Sequence, residues 1–521
     1  MGRIFNTAGP CDPRKHYMID ATRRLGEEVQ SLIRDEQYFV IHAARQTGKT
    51  TLLKGLARLI NAGPDYHALY CSLENAQGIS NPEEGIPTII DAIKYALDTA
   101  KLPCASNFGQ GSGGFMYSVA LQRSINKYCE MLDKPLVVFF DESDCLSGQT
   151  LINFLRQIRN GYVNRPEAAF IHSLGLIGMR NIRDYRYEYR SPETTMGSAS
   201  PFNIVTASMT LRNFNHGEIA ELYAQHTDDM GQEFEESSVD LVWRRTQGQP
   251  WLVNAIAREI VGYQTEHVPL KPINGDMVET AAQSIILHRG THFDSLMARL
   301  REERVRRVIE PVIIGETDRL SRLSDDYLYA KDIGLIRDDR GKVEIANPIY
   351  ADVIVRTLNW DTQQEIEERG YPYDMPRYLK DGLVDMDCLL RDFQAFWREN
   401  SAIWRERYEY KEAAPHLVLQ AFLQRVINGG GQIYREMAAE TRRVDLCVAY
   451  GGHRYPIELK LRYGDDTRSE GMDQISEYMD TLGCDTGWLV IFDRRKTVSW
   501  EEKLYVEKTV FRGKTLLIYG C

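Results

Sequence analysis

The stretch Tyr38-Phe-Val-Ile-His-Ala-Ala-Arg-Gln-Thr-Gly-Lys-Thr-Thr51 decides the fold of the first half of this 521-residue chain. Tyr38 to His42 predict a β-strand, a tight loop follows, and Lys49 predicts the start of a helix. The loop fits the phosphate-binding pattern G-x-x-x-x-G-K-[ST], with Ala43 in place of the first glycine. Backbone N–H groups at such a helix start converge on a polyphosphate, and the helix dipole favours its negative charge.

The residue types in this loop predict a nucleotide site, with ATP and Mg²⁺ as the expected ligands. Gly48 lets the backbone approach the phosphates, Lys49 supplies a cation for the β- and γ-phosphates, and the Thr50 hydroxyl is a candidate Mg²⁺ ligand. The residues expected to bind the nucleotide are Ala43, Ala44, Arg45, Gln46, Thr47, Gly48, Lys49, Thr50 and Thr51.

The composition is typical of a globular protein with several domains. Hydrophobic residues make up 43% and charged residues 26% of the chain, and the length suggests roughly two to four domains. No apolar run approaches the ~20 residues that a membrane span needs, and no signal-peptide pattern opens the chain. The nine cysteines are scattered without zinc spacing, which favours reduced thiols in a cytoplasmic protein.

The net charge of −11 argues against a protein that coats nucleic acid non-specifically. The acidity is uneven, because residues 409–521 are close to neutral. A DNA-facing surface in that part of the chain is therefore compatible with the overall charge.

A second acidic element follows the phosphate loop. Residues 136–140 are an apolar run that predicts a strand buried on both faces, and Asp141 and Glu142 follow it. Ligands of parallel sheets bind at the carboxyl ends of the strands. We therefore expect Asp141 to hold Mg²⁺ and Glu142 to polarise the attacking water. The alternative is an acidic turn after a core strand.

The first half contains two more predicted strands and a predicted lid. Residues 169–178 and 200–204 are the strands, and Arg180 after the first of them is a candidate γ-phosphate sensor. Gly248-Gln-Pro250 breaks the chain before a helix that we expect to begin near Trp251.

These motifs resemble the AAA-like ATPases of the archaeal-ATPase and STAND-related group. The resemblance rests on the P-loop, the apolar strand that ends in Asp141-Glu142, the stretch Gly178-Met-Arg-Asn181 and the Gly248-Gln-Pro250 break. It covers roughly residues 1–262 and implies an α/β sheet with a helical lid. Ala43 departs from the usual loop.

Residues 263–360 predict helix, helix and hairpin, a pattern similar to a winged helix, which can bind DNA. The second helix begins with Ser324-Asp-Asp, whereas a helix that enters a DNA groove needs basic residues there. This acidity favours a structural or regulatory wing over DNA binding. Residues 361–405 predict a linker and a supporting helix.

The C-terminal part contains a predicted hairpin, residues 443–450 and 455–461, that carries charged residues on one face. Glu458 and Lys460 are two residues apart on the second strand and share a face, and Asp445 on the first strand can meet them. Buried carboxylates are costly without a partner, and a divalent cation supplies one. Asp445 and Glu458 suit Mg²⁺ or Mn²⁺, and Lys460 can orient the attacking water.

The Asp…Glu-x-Lys pattern resembles the PD-(D/E)XK nuclease superfamily over roughly residues 406–521. Gln474 and Tyr478 match the Q-x-x-x-Y of its RecB-type branch, and the resemblance implies that they support the active site and DNA. It also implies a further metal-ligating glutamate on the preceding helix, for which Glu412 is the candidate and Glu436 the competitor.

We therefore expect an α/β multidomain protein whose ATPase acts together with a restriction-endonuclease-like domain. The leading hypothesis is an ATP-dependent or ATP-gated DNA nuclease that acts in defence against foreign DNA, on mobile elements or in repair. The alternative is a signalling or assembly ATPase whose C-terminal domain binds nucleic acid or a partner without cutting. DNA is favoured over RNA as the partner, and no membrane partner is expected. Assembly into a homo-oligomer is left as an open alternative.

Overall fold

The chain forms two compact units in the computed structural model. The first comprises Met1–Leu296 with Ser321–Tyr350, and the second Met297–Leu320 with Ala351–Cys521. The structure describes residues 2–25, 28–42, 44–110, 114–178, 204–263, 271–288, 291–313, 317, 320–339, 341–368, 375–407, 413–427, 431–439, 442–462, 467–495 and 498–521.

The strands form two large sheets and two small hairpins. They are β1 (Tyr38–His42), β2 (His67–Ser72), β3 (Leu136–Asp141), β4 (Ser173–Gly178), β5 (Val205–Thr210), β6 (Ile336–Asp339), β7 (Lys342–Ile345), β8 (Leu379–Lys380), β9 (Leu383–Val384), β10 (Gly431–Ala439), β11 (Arg442–Tyr450), β12 (His453–Arg462), β13 (Thr486–Asp493), β14 (Tyr505–Phe511) and β15 (Lys514–Gly520).

The first α-helix precedes β1, and the others lie between the strands along the chain. They are α1 (Glu28–Arg34), α2 (Lys49–Ala62), α3 (Pro82–Ala100), α4 (Tyr117–Glu130), α5 (Gly148–Val163), α6 (His216–Met230), α7 (Glu236–Thr246), α8 (Pro250–Tyr263), α9 (Gly275–His288), α10 (Thr291–Leu300), α11 (Glu303–Ile313), α12 (Asp325–Asp332), α13 (Pro348–Glu368), α14 (Met386–Arg407), α15 (Ala413–Ile427), α16 (Thr467–Leu482) and α17 (Trp500–Lys503). Within the described ranges, none has both the length and the apolarity for crossing a membrane.

The first unit is built on a parallel five-stranded sheet in the order β2-β3-β4-β1-β5, which confirms the predicted α/β sheet. Strands β1 and β3 are buried along their whole length. Tyr38 and Val40 pack in the core on one face of the sheet, and Phe39 and Ile41 in the core on the other. This alternation explains why continuous apolar runs form these strands.

The strand order brings the phosphate loop and the acidic motif to one edge of the sheet. Strand β4 lies between β1 and β3, and His42 at the end of β1 pairs with Gly178 at the end of β4. Because all three strands are parallel, the loop after β1 and Asp141 at the end of β3 both lie at the carboxyl edge.

Two elements of the first unit, β5 and the start of α3, are defined by the structure. Strand β5 is Val205–Thr210, an edge strand in which every second residue is exposed, whereas residues 200–203 of the predicted fifth strand lie outside the described residues. Such a strand needs no continuous apolar run, so the sequence pattern did not reveal it. Helix α3 begins at Pro82, because the Asn81 side chain caps it by accepting a hydrogen bond from the N–H of Glu83.

The second unit contains a six-stranded mixed sheet in the order β10-β11-β12-β13-β15-β14. The predicted hairpin is present as β11 and β12, which pair antiparallel, while β12, β13 and β15 run parallel. Helix α16 connects β12 to β13 and packs on both strands. The winged-helix-like and nuclease-like assignments, and the domain boundaries given above, stay predictions.

Two helix glycines of the first unit provide a matched test of packing. A Cβ on Gly161 in α5 would lie 2.2 Å from the Phe170 ring, whereas a Cβ on Gly55 in α2 meets nothing within 4 Å. We expect Gly161→Ala to lower the free energy of unfolding by about 1–3 kcal/mol through overpacking. Gly55→Ala should raise it by about 0.5–1 kcal/mol through helix propensity. Urea unfolding measures both, and equal effects would contradict the packing of α5 on Phe170.

Candidate functional site

The loop between β1 and α2 turns through two residues in the left-handed region. Gln46 has φ 59° and Gly48, the N-cap of α2, has φ 84°. The Thr47 hydroxyl donates to the carbonyl of Ala44 at 2.8 Å and closes the turn. Because the first N–H groups of an α-helix have no acceptor within the helix, this start of α2 can offer donors to a phosphate group.

The two basic side chains of the loop differ in their surroundings. Lys49, the first residue of α2, is only 7% exposed. Arg45 is exposed, and its Nη1 donates to the hydroxyl of Ser295 on α10 at 3.1 Å. Lys49 therefore brings a buried cation to the phosphate loop, whereas Arg45 links the loop to α10.

Arg24 contacts the phosphate loop, and its sequence neighbourhood did not predict this contact. Its guanidinium is buried and donates to the carbonyl of Thr47 at 2.6 Å and to that of Arg212 at 2.8 Å. Burial, followed by the charge of Arg212, lowers the pKa of Arg24 to about 10. Arg24 lies in a 3-10 turn, Ala21–Arg24, in a segment without a motif, so no local pattern could have revealed its contact with the loop.

Asp141 is surrounded by hydrogen-bond donors. It is 1% exposed, and its Oδ2 accepts from the Thr50 hydroxyl at 2.9 Å and from the Tyr70 hydroxyl at 3.0 Å. Its Oδ1 accepts from the backbone N–H of Glu142 at 3.0 Å. The predicted Mg²⁺ ligands Thr50 and Asp141 are thus adjacent, and a hydroxyl beside a carboxylate is a donor set that suits Mg²⁺.

Glu142 follows β3 in a left-handed conformation with φ 54°. Burial raises the pKa of its carboxyl group above the ordinary value, and the charge of Lys49 opposes this shift. A carboxylate whose pKa moves toward neutrality is a better proton acceptor at neutral pH. The environment of Glu142 is therefore consistent with the predicted role of polarising water.

The N-terminal segment lies against both α2 and α8. The backbone N–H of Cys11 donates to the Thr51 hydroxyl at 2.9 Å. Thr7 is held from α8, where the Trp251 ring N–H donates to its carbonyl at 2.9 Å and Arg258 donates to its hydroxyl at 2.7 Å. These contacts place the segment beside α8 and beside α2, which begins where the phosphate loop ends.

In the second unit, the register of the hairpin brings Asp445 and Glu458 together. Leu446 pairs with Ile457, so Asp445 and Glu458 are the next opposed positions and share a face. Asp445 Oδ2 accepts from the backbone N–H of Leu459 at 2.8 Å. The two predicted carboxylates therefore lie on adjacent strands.

Glu458 is a buried carboxylate with incomplete compensation. It is 2% exposed, its Oε1 lies 2.8 Å from Lys460 Nζ, and its Oε2 has no hydrogen-bond partner among the described residues. Burial, followed by the charge of Asp445, raises the pKa of Glu458 to about 8, although Lys460 opposes the shift. A buried oxygen without a donor, beside a second carboxylate, suits a divalent cation.

The described residues provide two carboxylates for this cation. Nowhere in the described ranges do three or more His, Cys, Asp or Glu residues lie close enough to hold a metal. Glu412, the predicted third ligand, lies outside those ranges, as do Ala43 and Arg180 of the predicted nucleotide site. The competitor Glu436 lies on β10, within Gly431–Ala439.

Gln474 and Tyr478 lie four residues apart on α16 and share a face of that helix. A Cβ on Gly471, one turn before Gln474, would lie 3.3 Å from Lys460 Cγ, so α16 packs on the face of β12 that carries Lys460. Tyr478 is buried in the core beneath α16. The helix thus covers the carboxylate pair, whereas the roles of Gln474 and Tyr478 stay predictions.

Neither a protein-family model nor a curated protein matches the sequence. Solved structures with partial similarity include the Walker-type ATPase paby2304 of Pyrococcus abyssi, with a TM-score of 0.44, 13% identity, and coverage of 67% of this chain and 99% of that one. Cdc6p from Pyrobaculum aerophilum has a TM-score of 0.36 and 12% identity, and the match covers 65% of this chain and 93% of that one. The Thermotoga maritima RuvB Holliday junction branch migration motor has a TM-score of 0.31 and 13% identity, and the match covers 64% of this chain and 93% of that one. Similarity at this level assigns no activity to the chain.

Proposed function

We propose that the chain is an ATP-dependent or ATP-gated nuclease that hydrolyses phosphodiester bonds, with DNA as the favoured substrate. The first unit binds and hydrolyses ATP, and the second unit cuts with a divalent cation. The observation that carries the nuclease proposal is the buried Oε2 of Glu458, which has no donor among the described residues and lies opposite Asp445 and beside Lys460. In its ionised form such a carboxyl group is costly to retain unless a cation binds there.

In the ATPase, each residue has a separate task. The N–H groups at the start of α2 bind the phosphates, and Lys49 neutralises their charge. Glu142 orients the attacking water and accepts its proton, a role that its raised pKa supports. Thr50 and Asp141 would hold Mg²⁺, which supplies charge neutralisation at the phosphate oxygens when bound.

In the nuclease, Lys460 orients the attacking water and stabilises the negative charge that develops on the phosphate. Asp445 and Glu458 would hold Mg²⁺ or Mn²⁺, which polarises the scissile phosphate when bound. Gln474 and Tyr478 support this site from α16. Residues 409–521 are close to neutral, so the negative charge of the whole chain does not bar nucleic acid from this face.

The ATPase assignment predicts two distinct losses. Lys49→Ala should abolish ATP binding, because the phosphates lose their cation. Glu142→Gln should bind ATP normally and slow hydrolysis by about 10²–10⁴-fold, because the proton acceptor is lost. Phosphate release and nucleotide titration measure the two effects. Arg58→Ala, an exposed cation on the same helix, is the control and should behave as the wild type. Normal ATP turnover by Lys49→Ala would refute the assignment.

The nuclease assignment predicts that Lys460→Ala abolishes cleavage of plasmid and linear DNA while ATP turnover survives. Lys508→Ala, an exposed lysine on β14 of the same sheet, is the matched control and should cut normally. Both variants are assayed beside wild type and Lys49→Ala, with and without ATP, in Mg²⁺ and in Mn²⁺. ATP hydrolysis without any nicking by the wild type would instead favour a signalling or assembly ATPase whose second unit only binds.

The cation site predicts a pH dependence whose sign follows from Glu458. Its folded-state pKa of about 8 lies above the ordinary value of 4.5. The metal-free folded protein therefore holds this proton more tightly than the unfolded chain, and stability falls as pH rises from about 4.5 to 8. Because a cation binds the ionised carboxylate, Mg²⁺ should raise the thermal midpoint of the second unit by about 2–4 °C at pH 9 and less at pH 6.

Differential scanning calorimetry with and without Mg²⁺ measures this effect. Glu458→Gln should remove both the pH-dependent loss of stability and the response to Mg²⁺. Glu470→Gln, an exposed carboxylate on α16, should leave both unchanged. A response to Mg²⁺ that is the same in Glu458→Gln as in the wild type would exclude this carboxylate as a ligand.

A further inference from the structure

His292 connects three elements of the first unit around the phosphate loop. The imidazole is 5% exposed on α10, with Nδ1 2.5 Å from Gln46 Oε1 and Nε2 2.7 Å from the Tyr350 hydroxyl. Its ring stacks on Trp251 of α8, with centroids 4.4 Å apart and planes inclined by 16°. One side chain thus touches the loop, the lid helix and the start of α13.

The chemistry of the imidazole fixes the direction of these hydrogen bonds. Burial lowers the pKa of His292 to about 4, so the ring is neutral near pH 7. A neutral imidazole has one donor and one acceptor nitrogen. With Gln46 Oε1 as an acceptor, Nδ1 carries the hydrogen, and Nε2 accepts from the Tyr350 hydroxyl. The result is a directed chain from Tyr350 through His292 to Gln46, in which both ring nitrogens have a partner.

The loop makes two more contacts with residues downstream of the lid. Arg45 donates to Ser295, one turn after His292 on α10. Gly334 lies so close to Ala44 that a Cβ on the glycine would be 2.5 Å from the alanine Cβ. Three consecutive loop residues therefore touch the part of the first unit between residues 291 and 350.

The hydrogen bond from His292 holds Gln46, a loop residue whose backbone has an unfavourable conformation. Gln46 has φ 59°, which is unfavourable for a residue with a Cβ. Such a conformation persists where surrounding contacts determine it. The His292 imidazole makes the contact that holds the Gln46 side chain, two residues before Gly48, where the N–H groups must converge on the phosphates.

We propose that His292 is a positioning residue for the nucleotide loop, and that the Tyr350–His292–Gln46 hydrogen-bond chain couples nucleotide binding to the start of α13. The proposal rests on the proposed ATP site. Tyr350 is the last residue of the first unit, the chain continues from it into Ala351 of the second, and α13 runs through this point. Because coupling between two sites is reciprocal, a change at Tyr350 alters ATP affinity, and ATP alters the free energy of the α13 start.

The test compares ATP affinities of full-length variants by titration with a fluorescent ATP analogue in Mg²⁺. His292→Phe keeps an aromatic ring beside Trp251 and removes both hydrogen bonds, and should weaken binding about tenfold. Tyr350→Phe removes one distant hydroxyl and should weaken binding about threefold to fivefold. His292→Asn, whose amide can still donate to Gln46, should restore most of the affinity, which a purely space-filling role would not predict.

Two controls separate coupling from general loss of stability. Tyr128→Phe removes a hydroxyl on α4 that donates to the Pro103 carbonyl, and should bind ATP as the wild type does. The double variant Gln46→Ala with His292→Phe should bind no more weakly than Gln46→Ala alone, because the two residues act through one contact.

The outcomes distinguish this inference from the proposed function. If wild type binds the analogue, Lys49→Ala does not, and both His292→Phe and Tyr350→Phe bind as wild type does, the coupling is overturned and the ATP site stands. If wild type does not bind the analogue, both proposals are overturned. Should His292→Phe fail to fold, Tyr350→Phe decides alone, because the loss of one hydroxyl leaves the packing in place.

Discussion

A carboxyl group buried away from water can stay ionised only when donors or a cation compensate its charge, and both candidate sites are arranged around this constraint. Asp141 and Glu458 are 1% and 2% exposed. Each lies on a strand of a sheet covered by helices, where the surrounding apolar residues provide no compensation. The local donors at each carboxylate therefore determine which ligand the site can accept.

The two carboxylates meet this requirement differently. Asp141 accepts from Thr50, Tyr70 and the Glu142 backbone N–H, so it is compensated before any ligand arrives. Glu458 has Lys460 on one oxygen and no described donor on the other. The first arrangement is a preorganised part of the proposed nucleotide site, and the second is a site in which a cation would remove a direct energetic penalty.

The sequence predicted what depends on local pattern and missed what depends on tertiary contact. The strands Tyr38–His42 and Leu136–Asp141 follow from apolar runs, and the meeting of Asp445 with Glu458 follows from the period of two in a hairpin. Arg24 and His292 lie far from the loop in sequence and in no motif, so only the folded chain shows that they touch it.

The phosphate loop and the Asp445–Glu458 pair respond differently to pH, because His292 beside the loop is neutral. An ion pair at this position would lose its coupling as its partner titrated, whereas a directed chain of neutral groups retains its hydrogen bonds well above the pKa of about 4. Glu458 titrates near pH 8. Of these two groups, only Glu458 changes its charge between pH 6 and 9. A pH effect in that range that is lost when Glu458 is replaced therefore arises at the Asp445–Glu458 pair. The hydrogen bond between His292 and Gln46 of the phosphate loop stays intact over the same range.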